Sequence, residues 1–172
     1  MKIAALVALL VPHGLMSHAA CGPDQTTVVA CQIEHSSNML QVCFDDNTAT
    51  YSFGPENAPD LTLSEPLLDL KYLPWTGAGR SISEAAIFDN GPYSYTAFVG
   101  VDRMFGDETE ADHPQPHFGG VFVDRDGENI LRLYCDRAMV DFPWAGDEIF
   151  AIKEEAGQVW DSRARVWRDG AG

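Results

Sequence analysis

Ser81–Val101 reads SISEAAIFDNGPYSYTAFVGV, two runs rich in β-branched and aromatic residues on either side of Asn90-Gly91. Asn-Gly tolerates positive φ at both centres of a type I′ turn, whose twist matches that of paired strands, so the segment is expected to form a hairpin. Side chains alternate along each strand. Ala86, Phe88, Tyr93 and Tyr95 therefore share one face, and Ala85, Ile87, Ser94 and Thr96 the other.

The same chemistry recurs on both sides. Gly120–Arg125 and Glu128–Cys135 flank Asp126-Gly127, a second pair suited to a tight hairpin. Thr26–Glu34 (TTVVACQIE) and Met39–Phe44 (MLQVCF) are joined by Ser36-Ser37-Asn38, and Asp45-Asp46-Asn47 turns the chain into Thr48–Phe53. Gly54–Pro66 holds three prolines and a short strand candidate at Leu61–Leu63. Leu67–Trp75 reads as an irregular crossover, after which Gly77 and Gly79 permit a sharp bend. Seven or eight short strands joined by hairpin turns imply a mainly β fold, an antiparallel sandwich or small barrel.

Beyond Cys135 the period changes. Ala145–Ala156 (AGDEIFAIKEEA) carries Ile149, Ile152 and Ala156 at helical spacing, acids near its start and Gly157 as a stop. This predicts a short C-terminal helix laid over an open end or face of the sheet. Trp160, Ala164 and Trp167 extend the apolar stripe, though Gly157 argues against one unbroken helix. Residues 20–140 are thus expected to form a disulfide-stapled β domain, with 141–172 a helix and tail packed on it or trailing from it.

The first residues look like an address. Lys2 precedes the apolar run Ile3–Val11, Pro12 and Gly14 break it, and Ser17 and Ala19 stand at the −3 and −1 positions of a cleavage site, so 1–19 is expected to be a signal peptide. Cys21 follows, but a lipoprotein signal wants an aliphatic residue where His18 stands. A mature protein without lipid, periplasmic or secreted, is expected. Four cysteines in such a chain form a disulfide framework. The Ser36-Ser37-Asn38 turn sets Cys31 and Cys43 on neighbouring strands, which suggests Cys31–Cys43 and Cys21–Cys135. The shorter loop would contribute roughly 3 kcal/mol.

Of 172 residues, 26 are Asp or Glu and 11 are Lys or Arg, a net charge of −15, or −16 once Lys2 leaves with the signal peptide. A chain so acidic would repel nucleic acid rather than grip its phosphates. No apolar run outside the N-terminus is long enough to span a membrane. Asp102–His117 (DRMFGDETEADHPQPH) is the most polar stretch. Asp112, His113 and His117 there offer the oxygen and nitrogen ligands of a divalent metal. Pro114 and Pro116 keep the segment extended, as in a solvated loop. Asp124-Arg125-Asp126-Gly127-Glu128 lacks the ligand spacing of a calcium loop. Nucleophile elbow, phosphate loop, dinucleotide fingerprint and zinc-protease motifs are all missing from the sequence. No cofactor and no catalytic residue is expected.

In order after the first cysteine hairpin come Tyr51-Ser52-Phe53-Gly54, then Trp75-x-Gly77-x-Gly79-Arg80, then Asn90-Gly91-Pro92-Tyr93-Ser94-Tyr95. Over about Cys31–Val101, with Cys135 as a further point, this set resembles a group of small exported bacterial β-proteins without assigned activity. In size, export and disulfide-bearing β character the chain also resembles periplasmic lysozyme inhibitors. That likeness is architectural, because their inhibitory serine-glycine-tyrosine loop has no counterpart here.

The sequence thus suggests an exported acidic binding protein, an inhibitor or immunity-type factor for a basic envelope protein. Asp107, Glu108, Glu110 and Asp112 form its densest acidic patch, and opposite charge speeds encounter. The alternatives are a metal-binding protein using Asp112, His113 and His117, a periplasmic small-ligand binder with a pocket lined by Phe88, Tyr93 and Tyr95, and an enzyme without a recognisable motif.

Overall fold

The computed structural model describes residues 21–103 and 117–170. The expected signal peptide, the acids Asp107, Glu108, Glu110 and Asp112, and His113 lie outside the described residues.

Two antiparallel sheets form the body. β1 (Thr26–Gln32), β2 (Asn38–Phe44), β3 (Thr48–Pro55) and β4 (Leu61–Pro66) pair in chain order. So do β5 (Lys71–Leu73), β6 (Ser81–Asn90), β7 (Tyr93–Asp102), β8 (His117–Arg125) and β9 (Glu128–Tyr134). Among the described residues neither sheet closes on itself, so the fold is a sandwich rather than a barrel. These two sheets hold nine strands, more than expected, because Lys71–Leu73 inside the anticipated crossover pairs with Ala85–Ile87. Alternation fixes the inner faces: Leu40, Val42, Phe44 and Tyr51 of one sheet meet Ala86, Phe88, Ala97, Val99 and Val121 of the other, all buried. Tyr51 bridges the layers, its ring 5.7 Å from Phe88 and 5.5 Å from Tyr95.

Turn chemistry sets the registers. Asp126 (φ 52°) and Gly127 (φ 83°) occupy the two left-handed centres of the β8–β9 turn, as their sequence predicts. The β6–β7 turn sits one residue later than expected. Asn90 pairs with Tyr93, so the centres are Gly91, at φ 62°, and Pro92. Proline supplies the negative φ of the second centre of a type II′ turn, and there its missing N–H removes nothing from the ladder. The faces are unchanged, because the pairing slips by an even number of residues.

The disulfides pair differently from the sequence expectation. Cys21 joins Cys43 and Cys31 joins Cys135, each with Cα atoms 5.7 Å apart. The reason is register. Cys31 lies opposite Leu40, whereas Cys43 lies opposite Thr27. Leu40, Val42 and Phe44 point into the core, so Cys43 points out, away from Cys31. Cys31 can then reach the chain leaving β9, where Ile33 bridges Cys135 and Ala30 bridges Asp141.

The C-terminal region forms the expected helix, α1 (Gly146–Glu155), which buries Ile149 and Lys153 and ends at Gly157 with φ 85°. The apolar stripe beyond it is a hairpin and not a helix or a trailing tail: β10 (Gln158–Asp161) pairs with β11 (Val166–Asp169), and Trp160 faces Trp167. The Trp167 indole packs on Phe150 at 4.7 Å and donates to the Tyr72 carbonyl at 2.9 Å, fastening this unit to β5.

Candidate functional site

The outer face of the five-stranded sheet carries a cluster of four rings, Phe98, Phe118, Phe122 and Tyr134, the largest among the described residues. One cross-strand row runs Ala85, Phe98, Gly120, Tyr134, and the next Ser83, Gly100, Phe118. Large rings thus alternate with residues that have little or no side chain. A Cβ on Gly100 would lie 2.6 Å from the Phe118 ring, and one on Gly120 would lie 3.0 Å from that of Phe98. The glycines therefore let the rings lie down on the sheet. Phe98 sits 4.5 Å from Phe122, 6.3 Å from Tyr134 and 6.5 Å from Phe118. The phenylalanines are half-buried, and Tyr134 keeps 48% of its surface exposed.

Two clefts of about 350 and 360 Å³ share Ser81, Phe98 and Phe118, and together they make one groove over this floor. Trp75 and Arg165 stand on one wall, Glu34, Tyr134 and Arg137 on the other. The Trp75 wall is braced. Gly77 (φ 80°) and Gly79 (φ 97°) bend the chain so that the Trp75 indole donates to the Ala78 carbonyl at 3.3 Å. Arg103 lies 5.1 Å over the Trp75 ring and donates to the carbonyls of Gly79 and Arg80. At one end Asp102 accepts from the Ser81 hydroxyl at 2.5 Å.

Under the groove, on the inner face of β6, Glu84 is only 2% exposed. The Tyr72 hydroxyl donates to its Oε2 at 2.5 Å, while Oε1 has no partner. Burial pushes the Glu84 carboxyl up to about 7. Hydrogen bonds from Tyr72 and the Ala145 backbone pull it back, and the nearby Asp147 charge adds to the rise. Burial and the adjacent carboxylate drive the Tyr72 phenol upward in turn. A carboxyl titrating near neutrality beside a phenol could relay protons, but both side chains are almost wholly buried, and Glu84 meets the groove only as part of the lining of the cleft beside Trp75. Lys153, on α1, is likewise enclosed. Its ammonium donates to Leu68 O at 2.8 Å and to Gln158 Oε1 at 3.3 Å, and burial lowers it to about 8. Both groups fasten α1 and its hairpin to the sheets.

Residues singled out from sequence fall elsewhere. Phe88 is fully buried against Tyr51, Tyr95 touches the same ring, and Tyr93 lies under Arg125. These rings occupy the space between the sheets. His117 opens β8 opposite Val101 and meets the edge of Phe142 at 6.2 Å. Among the described residues no three His, Cys, Asp or Glu side chains gather as metal ligands. The groove residues escaped sequence reading because Phe98 alternates onto the face of Ser94 and Thr96, which looks polar. A sharper clue was the pairing of rings with Gly100 and Gly120. No family model, curated protein or solved structure matches the chain.

Proposed function

We propose that this chain is an exported binding protein without catalytic machinery, and that the aromatic groove is its recognition surface. The observation that carries this reading is the placement of Phe98, Phe118 and Tyr134 on an outer sheet face, over glycines that hold the floor open. Aromatic side chains kept at a surface contribute contact area at low entropic cost, and concave sites floored by them are the usual seats of ligands. Two disulfides support an oxidising compartment. No helix among the described residues is long and apolar enough to cross a membrane.

A basic partner is the second reading, favoured by the net charge of −15. It does not suit the groove itself, where Arg137 and Arg165 balance Glu34 and Asp102. Such a partner would be drawn by the acids Asp107, Glu108, Glu110 and Asp112. Neutralising those four should slow its association and flatten the salt dependence, while an unchanged on-rate would remove them from the reading.

The groove is tested by comparing what the oxidised protein and its Trp75→Ala variant retain from an envelope extract. A component held by the wild type and released at least roughly tenfold faster by the variant, about 1.4 kcal/mol, supports the assignment. Identical profiles overturn it.

A further inference from the structure

The chemistry of the groove narrows its ligand to one class. The floor is aromatic, so the ligand must present an apolar face. Its rim is not apolar. A hydrocarbon-like ligand would strip water from Ser81, Asp102 and Arg137 and return no hydrogen bonds, which makes it a poor occupant. A cation would meet Arg137 and Arg165, and an anion would meet Glu34 and Asp102 on a chain of net charge −15. A neutral molecule remains, apolar on its faces and ringed by groups that both donate and accept hydrogen bonds. Pyranose sugars have this build: C–H bonds cover the face of the ring and hydroxyls surround its edge.

We propose that the groove binds a neutral oligosaccharide, with sugar rings stacked on Phe98 and Trp75 and hydroxyls held by the rim. The inference rests on the groove being the recognition surface. Arg137 and Arg165 donate, Glu34 and Asp102 accept, and the Ser81 hydroxyl does either once its bond to Asp102 exchanges. Because the two clefts adjoin along a shared floor, successive units of a chain fit better than a single sugar. Arg103 acts as a positioning residue, since it braces Trp75 against the bend at Gly77–Gly79.

The test titrates the oxidised full chain with three neutral tetrasaccharides, β-1,4-linked N-acetylglucosamine, β-1,4-linked glucose and α-1,4-linked glucose, by calorimetry and tryptophan fluorescence. At least one should bind, more tightly than its monosaccharide, with an affinity that does not change between low and high salt because the ligand is uncharged. Trp75→Ala and Phe98→Ala should each weaken it roughly tenfold. Should Phe98→Ala perturb the sheet, Arg137→Ala at the exposed rim provides an independent loss of several-fold. Failure of all three tetrasaccharides to bind overturns the sugar assignment. If an oligolysine peptide then binds, weakens with salt and is lost on Trp75→Ala, the recognition surface stands and only the ligand class falls. If neither ligand is affected by any groove variant, both proposals fall.

Discussion

Glu84 is the residue whose chemistry is most at odds with its surroundings. Its carboxyl lies raised from about 4.5 to about 7, chiefly by burial. The native state therefore holds a proton that the unfolded chain releases between those values. The contribution of Glu84 to stability is full below about pH 4.5 and is lost as pH rises through about 7, by roughly 3 kcal/mol across the interval. Glu84→Gln keeps an acceptor for the Tyr72 hydroxyl and cannot ionise. Urea unfolding measured at intervals across this range should show the wild type losing stability with rising pH, with that component of the slope missing from the variant. Equal slopes in the two proteins would mean that Glu84 does not titrate there.

At the scale of elements, α1 is placed by one close approach. A Cβ on Gly146 would stand 2.5 Å from the Tyr72 hydroxyl and 2.7 Å from Glu84 Oε2, atoms already bonded to each other and buried. Gly146→Ala should therefore destabilise by about 1–3 kcal/mol through overpacking, despite alanine's better helix propensity. In a Tyr72→Phe background the hydroxyl is gone, and the same substitution should cost about 1 kcal/mol less. Additive effects in chemical denaturation would separate Gly146 from Tyr72. None of this contact is legible in sequence, because it joins residues far apart in the chain. What sequence does show is local. Period-two alternation and the Asp126-Gly127 turn place β6 to β9 and their inner faces. Pro92 moves the β6–β7 turn without changing either face. The C-terminal hairpin was hidden by an ambiguity of spacing: Trp160 and Trp167 are two helical turns apart, yet across the Ser162–Arg165 turn they are cross-strand partners. Asp161 makes that turn by accepting from the N–H groups of Arg163 and Ala164, each at 3.0 Å.

Across the whole molecule, the two sheets are joined where the chain leaves β9 and returns along β1. Glu34 N donates to Tyr134 O, Asp136 N to Gln32 O, and Ala30 and Asp141 exchange both bonds. Cys31–Cys135 covalently fixes this corner, and both cysteines are buried, with Gly119 leaving room for the Cys135 sulfur. Cys21–Cys43 instead staples the first residues described to the outward face of β2. Its loop spans 22 residues of sequence against 104 for the other bond. Loop entropy alone then assigns roughly 3 kcal/mol to the shorter and about 4.7 kcal/mol to the longer. Emptying the buried Cys31–Cys135 site adds a packing loss to the larger figure. In urea unfolding, the double variant Cys31→Ala/Cys135→Ala should lose more stability than Cys21→Ala/Cys43→Ala by at least about 1 kcal/mol. Peptide mapping without reduction should recover the 21–43 and 31–135 links in the intact protein. Coincident midpoints for the two variants, at equal m-values, would overturn that ranking, and a Cys31→Ala/Cys135→Ala midpoint equal to the wild type's would show that the corner between the sheets is held by its hydrogen bonds and packing without help from the bond across it.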